Sequence, residues 1–267
     1  MSQSETTAMA ELLELDAQVL QSYLAELVDW LGDLSDGAPA RIVDLGSGTG
    51  TGTLALAQRF PRAHVTAVDL SPQMLHRLTE KASALGLAGR VRGLRADLDQ
   101  GWPRTGTSDL VWAASSLHHM ADPGRVLAGA FDHLRPGGLL AVTEMSFFPR
   151  FLPDDIGVGR PGLEARVHAA LDSGPSVDWS PHLERAGFRL EAARPFAIDL
   201  RGSLPPATAR YAQVCLRKLR SHLGREFAAD DLAALDAVLD DDSPHSVLRR
   251  TDLTVRTVRT TWAARRP

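Results

Sequence analysis

The sequence predicts an α/β fold built on a doubly wound, mostly parallel sheet with helices on both faces. Three observations carry the prediction. Short β-branched runs alternate with helical stretches over residues 41–144, and a βαβαβαβαβ order gives parallel neighbours because each crossover returns the chain to the same end of the sheet. The helices open with recognisable start signals. At 267 residues and 44% hydrophobic, the chain is long enough to bury roughly 70–75% of its unfolded surface without staples.

Taken in order, Leu12, Leu15, Val19, Leu20, Tyr23, Leu24, Leu27, Val28 and Leu31 recur every three or four positions with acids between them, which predicts one long amphipathic helix over 12–31. Gly37 to Pro39 is a linker. Strands are expected at 42–43, 65–68, 91–96, 110–112 and 139–143. A helix follows Gly50 through Leu54 and Ala57 to Pro61. The next begins at the N-cap Ser71 with Pro72 in its first turn, and presents Met74, Leu75, Leu78, Ala82 and Leu85. Another starts at Asp122-Pro123, carries Val126, Leu127, Phe131 and Leu134, and stops at Arg135-Pro136-Gly137-Gly138. Residues 145–175, with Pro149, Pro153, Pro161 and Pro175, read as an irregular or short-helical excursion. Alternation resumes with a helix over 180–187 and a strand over 188–200. Two inserted helices, 207–223 and 228–240, precede a last strand over 253–262. The expected organisation is a single domain over 1–267, with a helical cap (1–40), a core (41–144) and a substrate-side region (145–267).

Charge is uneven. Residues 1–40 hold eight acids, including Asp16 and Asp36, and no Lys or Arg, so the remainder of a chain of net charge −4 is +4. That is too little to attract nucleic acid. The densest basic stretch, Arg210, Arg217, Lys218, Arg220 and Arg225, runs straight into Asp230, Asp231 and Asp236 and reads as a solvated helix face. Cys215 is the only cysteine and is expected to fill core space. A polar, acidic start and the absence of any run near ~18 apolar residues argue for a cytoplasmic protein with no membrane partner.

The first strand ends in Asp44-Leu45-Gly46-Ser47-Gly48-Thr49-Gly50 and a helix follows. Glycines let the backbone turn sharply and approach a ligand, and the new helix presents unpaired N–H groups. Asp69 stands 19 residues past Gly50, at the end of the next strand, where a carboxylate accepts the hydroxyls of a ribose. The pair indicates an adenosine-containing cofactor. A dinucleotide site wants a third glycine where this chain has Thr51.

With these residues the sequence resembles the class I S-adenosylmethionine-dependent methyltransferases. Asp44, Gly46, Gly48 and Gly50 match the first motif and Asp69 the ribose acid. Ala96-Asp97-Leu98 resembles the segment whose acid meets adenine, Ser108-Asp109-Leu110-Val111 leading to Leu117-His118-His119 the fourth motif, and Leu134 to Gly138 the turn before the fifth strand. The resemblance implies S-adenosyl-L-methionine as cofactor and contacts from Asp44, Gly46, Ser47, Gly48, Gly50, Asp69, Leu70, Met74, Asp97, Leu98 and Ala113. It also implies a seven-stranded sheet closed by an antiparallel hairpin of 188–200 and 253–262. Blander readings stand beside it: Asp44 as an acceptor for its own loop, Asp97 as a turn cap with Asp99, Glu144 as a structural carboxylate.

Methyl transfer needs no metal, and no metal-ligand spacing occurs. Nucleic-acid amino methyltransferases carry Asp/Asn-Pro-Pro-aromatic at the fourth motif, where this chain has Ala114-Ser115-Ser116-Leu117. A small-molecule acceptor is therefore expected, with nucleic acid disfavoured. His118 and His119 are the catalytic candidates; adjacent side chains diverge, and His119 is favoured to face the acceptor with His118 holding the loop. Trp30, Phe147, Phe148, Phe151 and Trp179 are candidate pocket walls. The rival functions are a cofactor-binding regulatory protein and an NAD-dependent oxidoreductase.

Overall fold

The computed structural model describes residues 3–35, 37–171, 176–224 and 227–267; Asp36, Pro175 and Arg225 lie outside the described residues. Seven strands form one sheet: β1 (Arg41–Leu45), β2 (His64–Asp69), β3 (Val91–Arg95), β4 (Ser108–Ala114), β5 (Leu134–Arg150), β6 (Arg189–Leu200) and β7 (Val255–Arg265). Their spatial order is β3-β2-β1-β4-β5-β7-β6. Neighbours from β3 to β5 are parallel, and β7 is antiparallel to both β5 and β6. The strand order reverses between β1 and β4, and open α/β sheets bind ligands at the carboxyl ends beside such a switch.

Period-two alternation divides the sheet between two cores. Ile42, Val65, Leu110, Trp112 and Ala141 face one; Val43, Leu45, Val68, Ala113 and Val142 face the other. The first is covered by α2 (Gln21–Leu34), α3 (Thr51–Arg59), part of α4 (Pro72–Ala84) and, further along, α8 (Thr208–His222). The second is covered by α5 (Pro123–His133) and α7 (Ser180–Arg185). Ser71 caps α4 by accepting from the Met74 N–H, and Asp122 caps α5 by accepting from Arg125. Asp109 joins three strand starts: one carboxylate oxygen accepts the Ala40 and Arg41 N–H groups and the other accepts Arg135 Nε. Cys215 is buried on α8, as expected for core filler.

The expected single helix over 12–31 is two, α1 (Gln3–Val19) and α2, broken at Leu20 with φ −104° and ψ 23°. The bend lets α2 pack on α3 and the sheet while α1 crosses the carboxyl edge. The expected 139–143 strand is much longer. α5 runs directly into β5, and β5 continues to Arg150 because its far half pairs with β7, as at Phe147↔Val258 and Arg150↔Arg256. That pairing removes the irregular reading from 145–150. Of the rest of the excursion, α6 (Leu163–Leu171) is helical, and the insertion holds α8 and α9 (Ala229–Leu239).

The acidic N-terminal segment docks by ion pairs. Glu11 meets Arg210, Glu14 meets Arg77 and Lys81, Asp16 meets Arg259, Glu26 meets Arg194, and Asp29 meets Arg59. On the basic face of α8, Arg217 pairs with Asp241 and Arg220 with Asp236, and these side chains stay solvated as the sequence suggests.

Candidate active site

The glycine turn after β1, the ends of β2 and β3, the segment after β4, and the roof made by α1 and α2 meet at the carboxyl edge. Between them lies a cavity of about 890 Å³, near the upper end of the ~300–1,000 Å³ usual for ligand sites.

The turn is built on left-handed glycines. Gly46, Gly48 and Gly50 have φ of +66°, +53° and +86°, a region that penalises any Cβ. Space excludes one as well: a Cβ on Gly46 would stand 2.5 Å from Ser116 Cβ, and one on Gly50 2.6 Å from the Leu78 side chain. Ser116 is drawn in because its hydroxyl donates to the Leu45 carbonyl at 2.8 Å. The loop is fixed from the side by Asp69, whose two carboxylate oxygens accept the Gly48 and Ser71 N–H groups, each at 2.8 Å. An ionised carboxylate offers about four acceptor sites, so Asp69 keeps capacity for a ligand. Asp97 accepts the Asp99 N–H, and Asp99 accepts the Ala121 N–H, so the turn-capping reading of Asp97 holds while the residue also lines the cavity.

Asp44 is 2% exposed. Burial pushes its pKa up to about 7; the Thr53 hydroxyl, which donates to it, opposes the rise and the Asp69 charge adds to it.

Of the sequence-predicted residues, Asp44, Gly46, Ser47, Gly48, Asp69, Leu70, Met74, Asp97, Leu98 and His119 line the cavity. Leu70 presents an apolar surface, 58% exposed. Gly50 sits behind the wall at the start of α3. Ala113 points into the opposite core with Leu45 and Leu117; alternation gives its neighbours Trp112 and Ala114 to the cavity. His118 is not on the wall. Its Nδ1 lies 2.7 Å from Glu144 Oε2 and its ring 3.9 Å from that of His119. Burial and the His118 charge together hold His119 below the usual histidine range, against the pull of Glu144.

The predicted aromatic walls are elsewhere. Trp30 packs on Phe196, Phe151 on Tyr211, and Trp179 lies in the second core. Phe147 and Phe148 pack beside Arg150 and Lys218. The walls are instead Tyr23 and Trp112, with Leu13, Leu20, Leu24 and Leu27 from the roof and Arg259 from β7. Helical spacing in the roof offers a signal for these leucines, whereas Arg259 sits in the last strand with nothing local to mark it.

This strand order places a glycine turn and a ribose-spaced acid at the switch point, the position where doubly wound sheets take nucleotide ligands. Residues 42–138 match the family described as "Methyltransferase domain". The chain is 38% identical over 184 residues to the malonyl-[acyl-carrier protein] O-methyltransferase of Laribacter hongkongensis, covering 64% of this chain and 58% of that protein. It is 43% identical over 103 residues to the trans-aconitate 2-methyltransferase of Deinococcus radiodurans, covering 39% and 37%. The chain thus matches little more than half the length of the first and about a third of the second. Among solved structures, a methyltransferase-like protein from Bacillus halodurans superposes with a TM-score of 0.57 at 18% identity over 90% of this chain and 98% of that one. The [4+2]-cyclase SpnF shares the fold with a TM-score of 0.53 at 21% identity over 91% and 81%.

Proposed function

We propose that the protein transfers a methyl group from S-adenosyl-L-methionine to a small-molecule acceptor. The observation that carries this is one continuous cavity joining the glycine turn and Asp69 to an apolar chamber under α1 and α2, with His119 on its wall. The residues present fit the cofactor: a glycine cradle that no Cβ can enter, an acid at ribose spacing with acceptor capacity to spare, Leu70 and Leu98 as apolar surfaces for adenine, and Asp97 beside them. Both curated relatives are named as methyltransferases, and their acceptors, malonyl-[acyl-carrier protein] and trans-aconitate, differ; they support the reaction and do not fix the acceptor.

When bound, the cofactor supplies a methyl group already activated on a sulfonium. The chain's part is to hold the acceptor in line with it, and orientation of this kind is worth ~7–11 kcal/mol of barrier. α1 and α2 roof the chamber with apolar side chains, Leu13, Leu20, Leu24 and Leu27 among them. His119, held in its neutral form, accepts a proton from an acceptor that is protonated at neutral pH, and His118, anchored on Glu144, braces its ring.

Calorimetry against S-adenosylhomocysteine and NAD, followed by mass spectrometry of metabolite pools incubated with methyl-labelled S-adenosylmethionine, tests the proposal. Binding of S-adenosylhomocysteine and a product carrying the label are expected. Binding of NAD alone would overturn the cofactor assignment, and cofactor binding without a labelled product would favour the regulatory reading.

A further inference from the structure

Arg259 is the only Lys or Arg among the described residues lining the cavity, whereas Asp16, Asp44, Asp69, Asp97 and Asp99 all line it. Its position separates it from most of those acids. Asp69 ends β2, and Arg259 lies on β7, four strands across in the order β2-β1-β4-β5-β7, which at ~4.8 Å per strand is roughly 19 Å. The guanidinium is thus in the acceptor half of the chamber, beyond His119, among the leucines of α1 and α2.

It is also held in place from behind. Nη2 donates to Asp16, Asp16 in turn accepts the Tyr211 hydroxyl at 2.6 Å, and the Tyr23 ring lies 5.4 Å beneath the cation. Only 13% of the Arg259 side chain is accessible, and Nε has no partner among the described residues. The Tyr23 hydroxyl is buried beside Arg259 and Thr261. A guanidinium has five N–H donors in a fixed fork and favours planar anions; here the single carboxylate beside it is shared with Tyr211, so donors outnumber acceptors. A pre-aligned arginine among the leucines of the roof, with more donors than its one carboxylate partner can accept, is a receptor for a negatively charged oxygen.

We propose that Arg259 selects the acceptor: a compound with an apolar body and an anionic oxygen, either a carboxylate or an ionised phenol or enol. This deepens the methyltransferase reading and rests on it. Asp16 fixes the guanidinium and partly neutralises it, so it sets how tightly an anion is held.

The test uses the full chain saturated with S-adenosylhomocysteine, whose own affinity, measured first, reports on the cofactor reading separately. Binding is then compared within matched pairs: trans-cinnamate against methyl cinnamate for the carboxylate arm, 4-nitrophenolate against 4-nitroanisole for the phenolate arm. The expected result is a tenfold to hundredfold preference for the anion in at least one arm, the range of ~1.5–3 kcal/mol for a charged hydrogen bond. Arg259→Met should abolish that preference with unchanged S-adenosylhomocysteine affinity, Arg259→Lys should keep part of it, and Asp16→Asn should keep or increase it. No preference in either arm, a preference that survives Arg259→Met, or equal losses in Asp16→Asn and Arg259→Met would overturn the proposal, the last by showing that the pair only ties the roof to β7. Retained S-adenosylhomocysteine affinity shows that each variant is folded.

Discussion

Replacing Asp69 by alanine removes the acceptor of two backbone donors, Gly48 N–H and Ser71 N–H, each at 2.8 Å. Hydrogen bonds to a charged partner contribute ~1.5–3 kcal/mol each where shielded from water. Asp69 is only half-buried, and water replaces part of what is lost, so the stability loss should be about 1–3 kcal/mol in total. The same carboxylate is the proposed ribose ligand, and losing that contact should weaken S-adenosylhomocysteine binding about tenfold to a hundredfold. Urea unfolding and calorimetry on the same preparation separate the two effects. Asp69→Asn sharpens the experiment, because its amide keeps one acceptor oxygen: it should recover part of the stability but little of the affinity. Unchanged affinity in the alanine variant would refute the assignment of Asp69 to the cofactor, and unchanged stability would refute its role in fixing the glycine turn.

Three further outcomes are expected. Gly46→Ala forces φ +66° on a residue with a Cβ 2.5 Å from that of Ser116, so denaturant unfolding should show a loss of ~1–3 kcal/mol or more, and a variant as stable as the parent would contradict the geometry. His119→Ala should lower turnover by roughly 10²–10⁴ with cofactor affinity unchanged if the acceptor is protonated; because the pKa of His119 is lowered, the acidic fall of kcat/KM should lie below the range of an ordinary histidine. Asp44, raised from 3.8 to about 7, stays protonated in the folded state while ionised in the unfolded chain between those values. Its contribution to stability should therefore be full below about pH 4, decline by at most ~1.4 kcal/mol per pH unit up to about pH 7, and level off above. Asp44→Asn should lack that slope, as thermal or urea unfolding across the pH range will show.

Local patterns made the sheet core and the glycine-turn half of the cavity legible. The glycine turn, Asp69 and Asp97 each sit within a few residues of a strand end, so spacing along the chain maps directly onto spacing in the site. Long-range pairing was not legible. β5 reaches Arg150 only because β7 lies beside it, and residues 145–150 carry no such signal on their own. The break at Leu20 was hidden for a related reason: the apolar periodicity of 12–31 is continuous, and the bend comes from the different surfaces that α1 and α2 must cover. Ala113 and Trp112 show a third limit, since one residue of register decides which face a side chain takes. Arg259 combines all of these, being one of three arginines in a strand whose neighbours are distant in sequence.

The insertion of β7 between β5 and β6 also sets an order of assembly. Strands β1 to β4 and the glycine turn are joined by short crossovers and can dock while the chain is still being made. β5 is left as an open edge and β6 has no neighbour until the final strand arrives to satisfy both. The Asp16–Arg259 pair spans 243 residues, among the longest loop closures the chain makes. The glycine-turn end of the chamber is thus formed early, and the far wall is completed only when β7 joins the sheet. A lesion in β7 should leave a chain that has formed its first half and displays an unpaired β5, a species prone to pairing with its own kind.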